Sequence, residues 1–178
     1  RSQQFMAKLV GDAGTVLAVG ALYVGDRIGL FNDMAGAGAL TPDALAQRSG
    51  LQPRYVEEWL AVMASAGYVE YDAAQGTFSL PEEHALYLTN PSSEYYLGGL
   101  FLGMPGMMSS LPRVAEAFRR GEGVRFADYG SDMPLALEAM NRSVYDNRLV
   151  RDWLKALPEA VQRLQQGGAA RVGVALRR

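Results

Sequence analysis

The sequence predicts a mainly α fold: a winged helix-turn-helix with a two-stranded wing, plus additional long helices. Three observations predict it. Two short helical patterns between residues 41 and 66 each carry a proline where a helix would start, with Gly50 between them. Two short segments follow at once, Tyr68 to Tyr71 and Thr77 to Leu80, joined by the turn-forming stretch 72–76. Apolar residues recur at helical spacing through most of the remainder.

Residues 2–35 open the chain with a helical pattern: Phe5, Leu9, Val16, Val19, Tyr23, Leu30 and Met34. The stretch from Ala13 to Phe31 is the most apolar. Asp26 and Arg27 lie within it, and Gly14, Gly20, Gly25 and Gly29 interrupt it. Those features favour a buried helix over a membrane span. The apolar surface suits either a core helix or an intertwined dimer interface, with helical glycines permitting close approach.

Thr41 then caps a helix that starts at Pro42, has Asp43 in its first turn and stops at Gly50. Pro53 starts the next, with Val56, Leu60 and Met63 on one stripe and Trp59 beside it. Gly67 precedes the wing. Pro81 opens a short helix containing His84. Tyr95 to Arg120 reads as helical, divided by Pro105 and Pro112. Residues 121–132 read as a loop. Two helices are expected over 133–143 and 144–165, the second kinked or divided at Pro158. The final residues from Ala169 to Leu176 read as the start of a buried strand, whose backbone groups need a sheet partner.

Composition excludes several chemistries. The chain has 178 residues, of which 49% are hydrophobic, enough for one sizeable core or two small ones. It has no Cys and one His, so thiolate zinc sites, cysteine nucleophiles and multi-imidazole sites within one chain are excluded. The carboxylates show no ligand-like spacing, and no metal or catalytic constellation is expected. His84 beside Glu82 and Glu83 reads as structural or surface-exposed. The chain starts at Arg1, which implies processing or trimming. Without a signal peptide or span, a cytoplasmic setting is expected.

DNA binding is disfavoured. The second helix of the motif carries Arg54 but also Glu57 and Glu58, and the wing carries Glu70 and Asp72 with no Lys or Arg. The net charge of −2 conceals an asymmetry. Residues 1–141 hold 9 basic and 16 acidic residues, and 142–178 hold 8 and 3. Solvated helix faces explain this more simply than docking of a basic end to an acidic partner.

Several short motifs keep an order and spacing. They are Gly25-Asp26-Arg27-Ile28-Gly29-Leu30, Leu40-Thr41-Pro42, Arg54-Tyr55-Val56 with Glu58-Trp59-Leu60, Gly67-Tyr68-Val69 and Phe78-Ser79-Leu80-Pro81. Further on come Ala115-Glu116-Ala117-Phe118-Arg119 with Gly121 and Gly123, and Asp152-Trp153-Leu154 with Leu157. Through them the chain resembles, from about residue 5 to 172, the N-terminal portion of a class I S-adenosylmethionine-dependent methyltransferase. The similar group is bacterial, acts on small molecules and has an N-terminal winged-helix domain.

The resemblance implies a dimerisation arm and winged helix over 1–90, a helical lid and linker over 91–168, and over 169–178 a truncated or altered first strand of a Rossmann-like catalytic domain. Ala170-Arg171-Val172 enters as that strand does. Gly173 to Arg178 departs from it, with no acidic residue and no Gly-x-Gly turn. The chain alone is therefore not expected to bind the cofactor or to be catalytic; S-adenosylmethionine belongs to the full-length parent. A fragment of a larger methyltransferase is favoured over a frameshifted remnant or a free-standing relative.

The implied partners are a small, hydrophobic acceptor and a second copy bound through residues 2–35. Phe101, Met104, Met108, Tyr145 and Asn147 are the implied acceptor-binding residues. No catalytic, cofactor-binding or metal residues are assigned. The alternative is a stand-alone winged-helix transcriptional regulator or ligand-binding dimer.

Overall fold

The computed structural model describes residues 1–167, and the expected strand at 169–178 lies outside them. Helix α1 runs from Ser2 to Arg27. It stops because Gly29 adopts φ 80°, outside the helical region, and the chain restarts as α2, Leu30–Met34. The helical pattern over 2–35 is thus two helices. Only Ala18, Leu22 and Gly25 of α1 are buried, and residues 1–17 are all exposed. This corrects the reading of Ala13 to Phe31 as a buried helix: its last part joins the core, but among the described residues the earlier turns are exposed. By length and composition alone, α1 could cross a membrane.

The winged helix follows the sequence closely. α3 spans Pro42–Ser49, and the Thr41 hydroxyl accepts from the Ala44 N–H at 3.2 Å. Gly50, at φ 67°, ends it. α4 spans Pro53–Ser65 and buries Val56, Trp59, Leu60 and Met63. β1 (Glu70–Asp72) pairs antiparallel with β2 (Thr77–Ser79), placing Tyr71 opposite Phe78. The strands are shorter than the expected 68–71 and 77–80. Tyr68 and Val69 instead donate their N–H groups back to the Met63 carbonyl at 2.9 and 3.4 Å, finishing the end of α4. Leu40 exchanges two 2.8 Å backbone hydrogen bonds with Phe78, extending the wing by one bridge.

The core sits among these elements and gathers Leu22, Phe31, Met34, Leu45, Leu60 and Met63 around Trp59. Phe31 meets Trp59 edge-on, with ring centroids 5.1 Å apart. The Trp59 indole donates to the Ala21 carbonyl at 2.8 Å. Gly25 lies directly against the same indole, and any side chain there would collide with it.

A second helical layer follows: α5 (Glu82–Leu88), α6 (Gly98–Leu102), α7 (Met104–Arg120) and α8 (Asp132–Val144). The expected division of 95–120 at Pro105 and Pro112 falls elsewhere. The chain breaks between α6 and α7 at Gly103, and Pro105 sits in the first turn of α7. Pro112 lies within α7 without ending it. It is exposed, and the Ser109 and Ser110 hydroxyls bond to the Gly106 and Met107 carbonyls just upstream, at 3.0 and 2.8 Å. The expected loop 121–132 contains a 3₁₀ turn, Phe126–Tyr129. In place of one helix over 144–165 there is a π-helical segment, Tyr145–Trp153, a 3₁₀ turn, Leu154–Ala156, and α9, Pro158–Gln165, which starts at the expected proline.

α6 packs on α8 where Gly99 faces the Met140 backbone; a Cβ there would lie 2.8 Å from its nitrogen. Two tyrosine–aspartate hydrogen bonds fasten α1 to this layer. Tyr96 donates to Asp26 at 2.6 Å, and Tyr23 to Asp132 at 3.2 Å.

Candidate functional site

α1 presents three apolar surfaces beyond its buried stripe. On one side a cleft of about 280 Å³ opens between α1 and α7, lined by Val16, Val19, Gly20, Tyr23, Met104 and Met108 among others. On another, an open groove of about 610 Å³ runs between α1 and α4, floored by Gly11, Gly14, Ala18, Ala61 and Ser65. Between them, an outward stripe carries Met6, Leu9, Val10, Ala13, Val16, Leu17, Gly20 and Val24, at the 3–4 residue spacing of one helix face. Leu17 is 74% exposed and Val10 67%. Lys8 and Asp12 pair with each other at 2.5 Å, off that stripe.

The five residues implied for acceptor binding do not form one cluster. Met104 and Met108 meet in the α1–α7 cleft. Phe101 is partly buried against the core and lines a separate cleft with Tyr68 and His84. Tyr145 packs edge-on against Trp153, with centroids 5.8 Å apart. Asn147 donates to the Ser143 and Ser92 carbonyls at 2.7 and 3.1 Å, tying the π-helical segment to the loop after α5. Arg148 and Arg151 hold Glu94 of the same loop at 3.0 and 3.5 Å. Val19 and Tyr23 belong to the α1–α7 cleft; their helical spacing was visible in the sequence, but not that α7 faces them.

Electrostatics are local. Hydrogen bonding to Arg125 holds the Asp128 carboxyl below its usual range, and Arg113 adds an ion pair at 2.9 Å. Burial, then the hydrogen bond to Asp26, raises the Tyr96 phenol above its usual value. His84 is half-buried, with Nδ1 3.0 Å from the Tyr68 carbonyl. Arg54, the basic residue of α4, pairs with Glu57 at 3.4 Å and with Glu58. No group of three or more potential metal ligands occurs among the described residues. S-adenosylmethionine does not fit the α1–α7 cleft or the Phe101 cleft: its ribose hydroxyls and charged amino-acid end need polar partners, and neither lining holds a carboxylate.

Residues 16–90 match the family model of the Rv2258c-like winged helix-turn-helix domain. The fold is shared with solved methyltransferases. The chain is similar to a methyltransferase of calicheamicin biosynthesis in its S-adenosylhomocysteine-bound form, at 22% identity and TM-score 0.62, covering 81% of this chain and 45% of that one. It is similar to the mitomycin 7-O-methyltransferase at 17% identity and TM-score 0.61, with the same coverage. Human N-acetylserotonin methyltransferase, in complex with S-adenosylmethionine, matches at 21% identity and TM-score 0.56, over 87% of this chain and 45% of that one. The chain thus spans a little under half the length of these structures. No curated protein sequence matches significantly.

Proposed function

We propose that this chain is the dimerising, acceptor-facing portion of a S-adenosylmethionine-dependent methyltransferase acting on a small hydrophobic molecule. The observation that carries the reading is α1, whose outward stripe and flanking clefts are apolar and uncovered among the described residues. Soluble proteins bury such surfaces against a partner. The six large side chains of the stripe expose about 100 Å² apiece, or roughly 600 Å² per protomer. A standard interface takes about 800 Å² from each partner, and the flanking clefts can supply the difference.

A second copy is the occupant the stripe suits. It carries no charge, and small residues at Ala13 and Gly20 let another helix approach closely. A membrane suits it less, because the last third of α1 is bonded into the protein through Asp26, Tyr23 and the Trp59 indole. The α1–α7 cleft supports the acceptor side of the reading. Its lining is nearly all apolar, so it would hold a hydrophobic body, exclude water and orient the reacting group. Met104 and Met108 adapt readily to such a shape. The cofactor, when bound to the full-length protein, supplies the methyl group. The pairing of Arg54 with Glu57 and Glu58 supports a scaffold role for the winged helix over DNA reading.

Two measurements test this. Sedimentation of the chain should show a dimer that Val24→Glu dissociates; a monomer throughout would reject the dimer. In a chain extended through a catalytic domain, calorimetry should detect cofactor binding, and Met108→Trp, which fills the cleft, should raise the acceptor KM at least tenfold with cofactor affinity unchanged. An unchanged KM would remove the cleft from the acceptor site.

A further inference from the structure

His84 is the only imidazole in the chain, and it stands in the wall of a cleft of about 260 Å³. Tyr68, Tyr87, Leu88, Leu97 and Phe101 form the rest of that wall, together with Gly67. Three separate elements supply these residues, and hydrogen bonds fix them to one another. The Leu97 N–H donates to the Tyr87 carbonyl at 2.8 Å, and Tyr87 and Tyr95 pack edge-on at 6.4 Å. Phe101 is anchored against the core.

The tautomer of the neutral His84 ring follows from its partner. A carbonyl oxygen can only accept, so the 3.0 Å contact with Tyr68 requires Nδ1 to carry the proton. In the neutral ring Nε2 is then an acceptor, and no described residue hydrogen-bonds to it. The cleft therefore combines aromatic walls with an imidazole acceptor, beside the hydroxyl-bearing Tyr68 and Tyr87. It differs in kind from the α1–α7 cleft, which offers almost no polar surface.

We infer that this cleft binds a flat aromatic molecule of one or two fused rings bearing an O–H or N–H donor, which His84 Nε2 accepts. The aromatic walls supply the apolar contact and the imidazole sets the orientation. The volume of about 260 Å³ accommodates a body of that size. The inference stands apart from the methyltransferase reading, which places the acceptor in the α1–α7 cleft, and the two clefts share no lining residue.

Indole and 1-methylindole share a ring system and differ in the N–H donor, so the pair isolates the proposed contact. Titration of each into the chain, followed by NMR, reads affinity and the imidazole together; a single histidine makes its signals unambiguous. Indole should move the His84 Nε2 resonance and bind about five- to tenfold more tightly than 1-methylindole, the amount one net hydrogen bond gives. His84→Asn keeps an amide N–H for the Tyr68 carbonyl but places no acceptor where Nε2 was, and should bind both probes equally. Phe101→Ala should weaken both. Equal affinities for the unmodified chain, or an unmoved His84 signal at saturating indole, would overturn the proposal without recourse to any variant.

Discussion

The Tyr96 hydroxyl donates to Asp26 Oδ1 at 2.6 Å, joining the last turn of α1 to the segment that leads into α6. Gly98 completes the arrangement. A Cβ at that position would collide with both the phenol oxygen and the carboxylate. The winged helix and the second helical layer are thus held together by a polar contact that only a glycine neighbour permits.

Tyr96→Phe leaves a half-buried carboxylate without its donor and should cost about 1–3 kcal/mol in denaturant unfolding. Gly98→Ala should cost a similar amount by forcing the pair apart. Because both changes act on one contact, the double variant should lose less than the two single losses combined.

The same contact should leave a mark at alkaline pH. Burial and the Asp26 hydrogen bond raise the Tyr96 phenol above its ordinary 10.0. Its contribution is fully present below pH 10, where the phenol is protonated in both the folded and unfolded chain. Above pH 10 the unfolded chain loses the proton first, and the contribution is lost as the pH climbs towards the folded value. Denaturant titrations at pH 9 and pH 11 should show a loss of stability that is smaller in Tyr96→Phe.

Gly25 sets the spacing between α1 and α4. A methyl group there would overlap the Trp59 ring, whose indole is fixed by its bond to Ala21. Gly25→Ala should therefore destabilise by about 1–3 kcal/mol despite the higher helix propensity of alanine. Gly20→Ala, in open space, should be neutral or stabilising in the monomer.

In the proposed dimer, a two-fold axis through the middle of the α1 stripe runs the two helices antiparallel. The chain has no cysteine, so single cysteines report cleanly. Leu17→Cys lies near the centre and should oxidise to a disulfide-linked dimer. Met6→Cys, equally accessible, should not, because two copies would lie about 30 Å apart. Cross-linking of both would indicate a parallel pair, and of neither, a stripe covered by something else.

How much of this was legible in the sequence depended on range. The winged helix was written locally. Thr41, Pro42 and Gly50 mark helix ends by chemistry that needs no distant partner, and Val56, Leu60 and Met63 share a face by spacing alone. Pro112 misled because whether a proline ends a helix depends on what surrounds it, and α7 carries this one on an exposed face without ending. The segment 145–153 keeps the amphipathic spacing of a helix, so the sequence marked it as helical but did not distinguish a π-helix from an α-helix. The site was less readable still. Met104 and Met108 are i and i+4, so their pairing was visible, whereas Phe101 lies three residues before Met104 across the break at Gly103 and faces another cleft. Tyr96 with Asp26 is a contact across 70 positions, and nothing in either residue's neighbourhood names the other.

The manner in which α1 is attached has a mechanical consequence. Its buried residues all lie between Ala18 and Gly25. The sixteen residues before them form a rigid rod about 24 Å long, clamped at one end. A pivot of about 10° at the clamp would sweep the tip by roughly 4 Å, several times the local movement that produced it. Small shifts where Asp26, Tyr96 and Trp59 meet would therefore reach a neighbouring molecule amplified, with α1 as the lever.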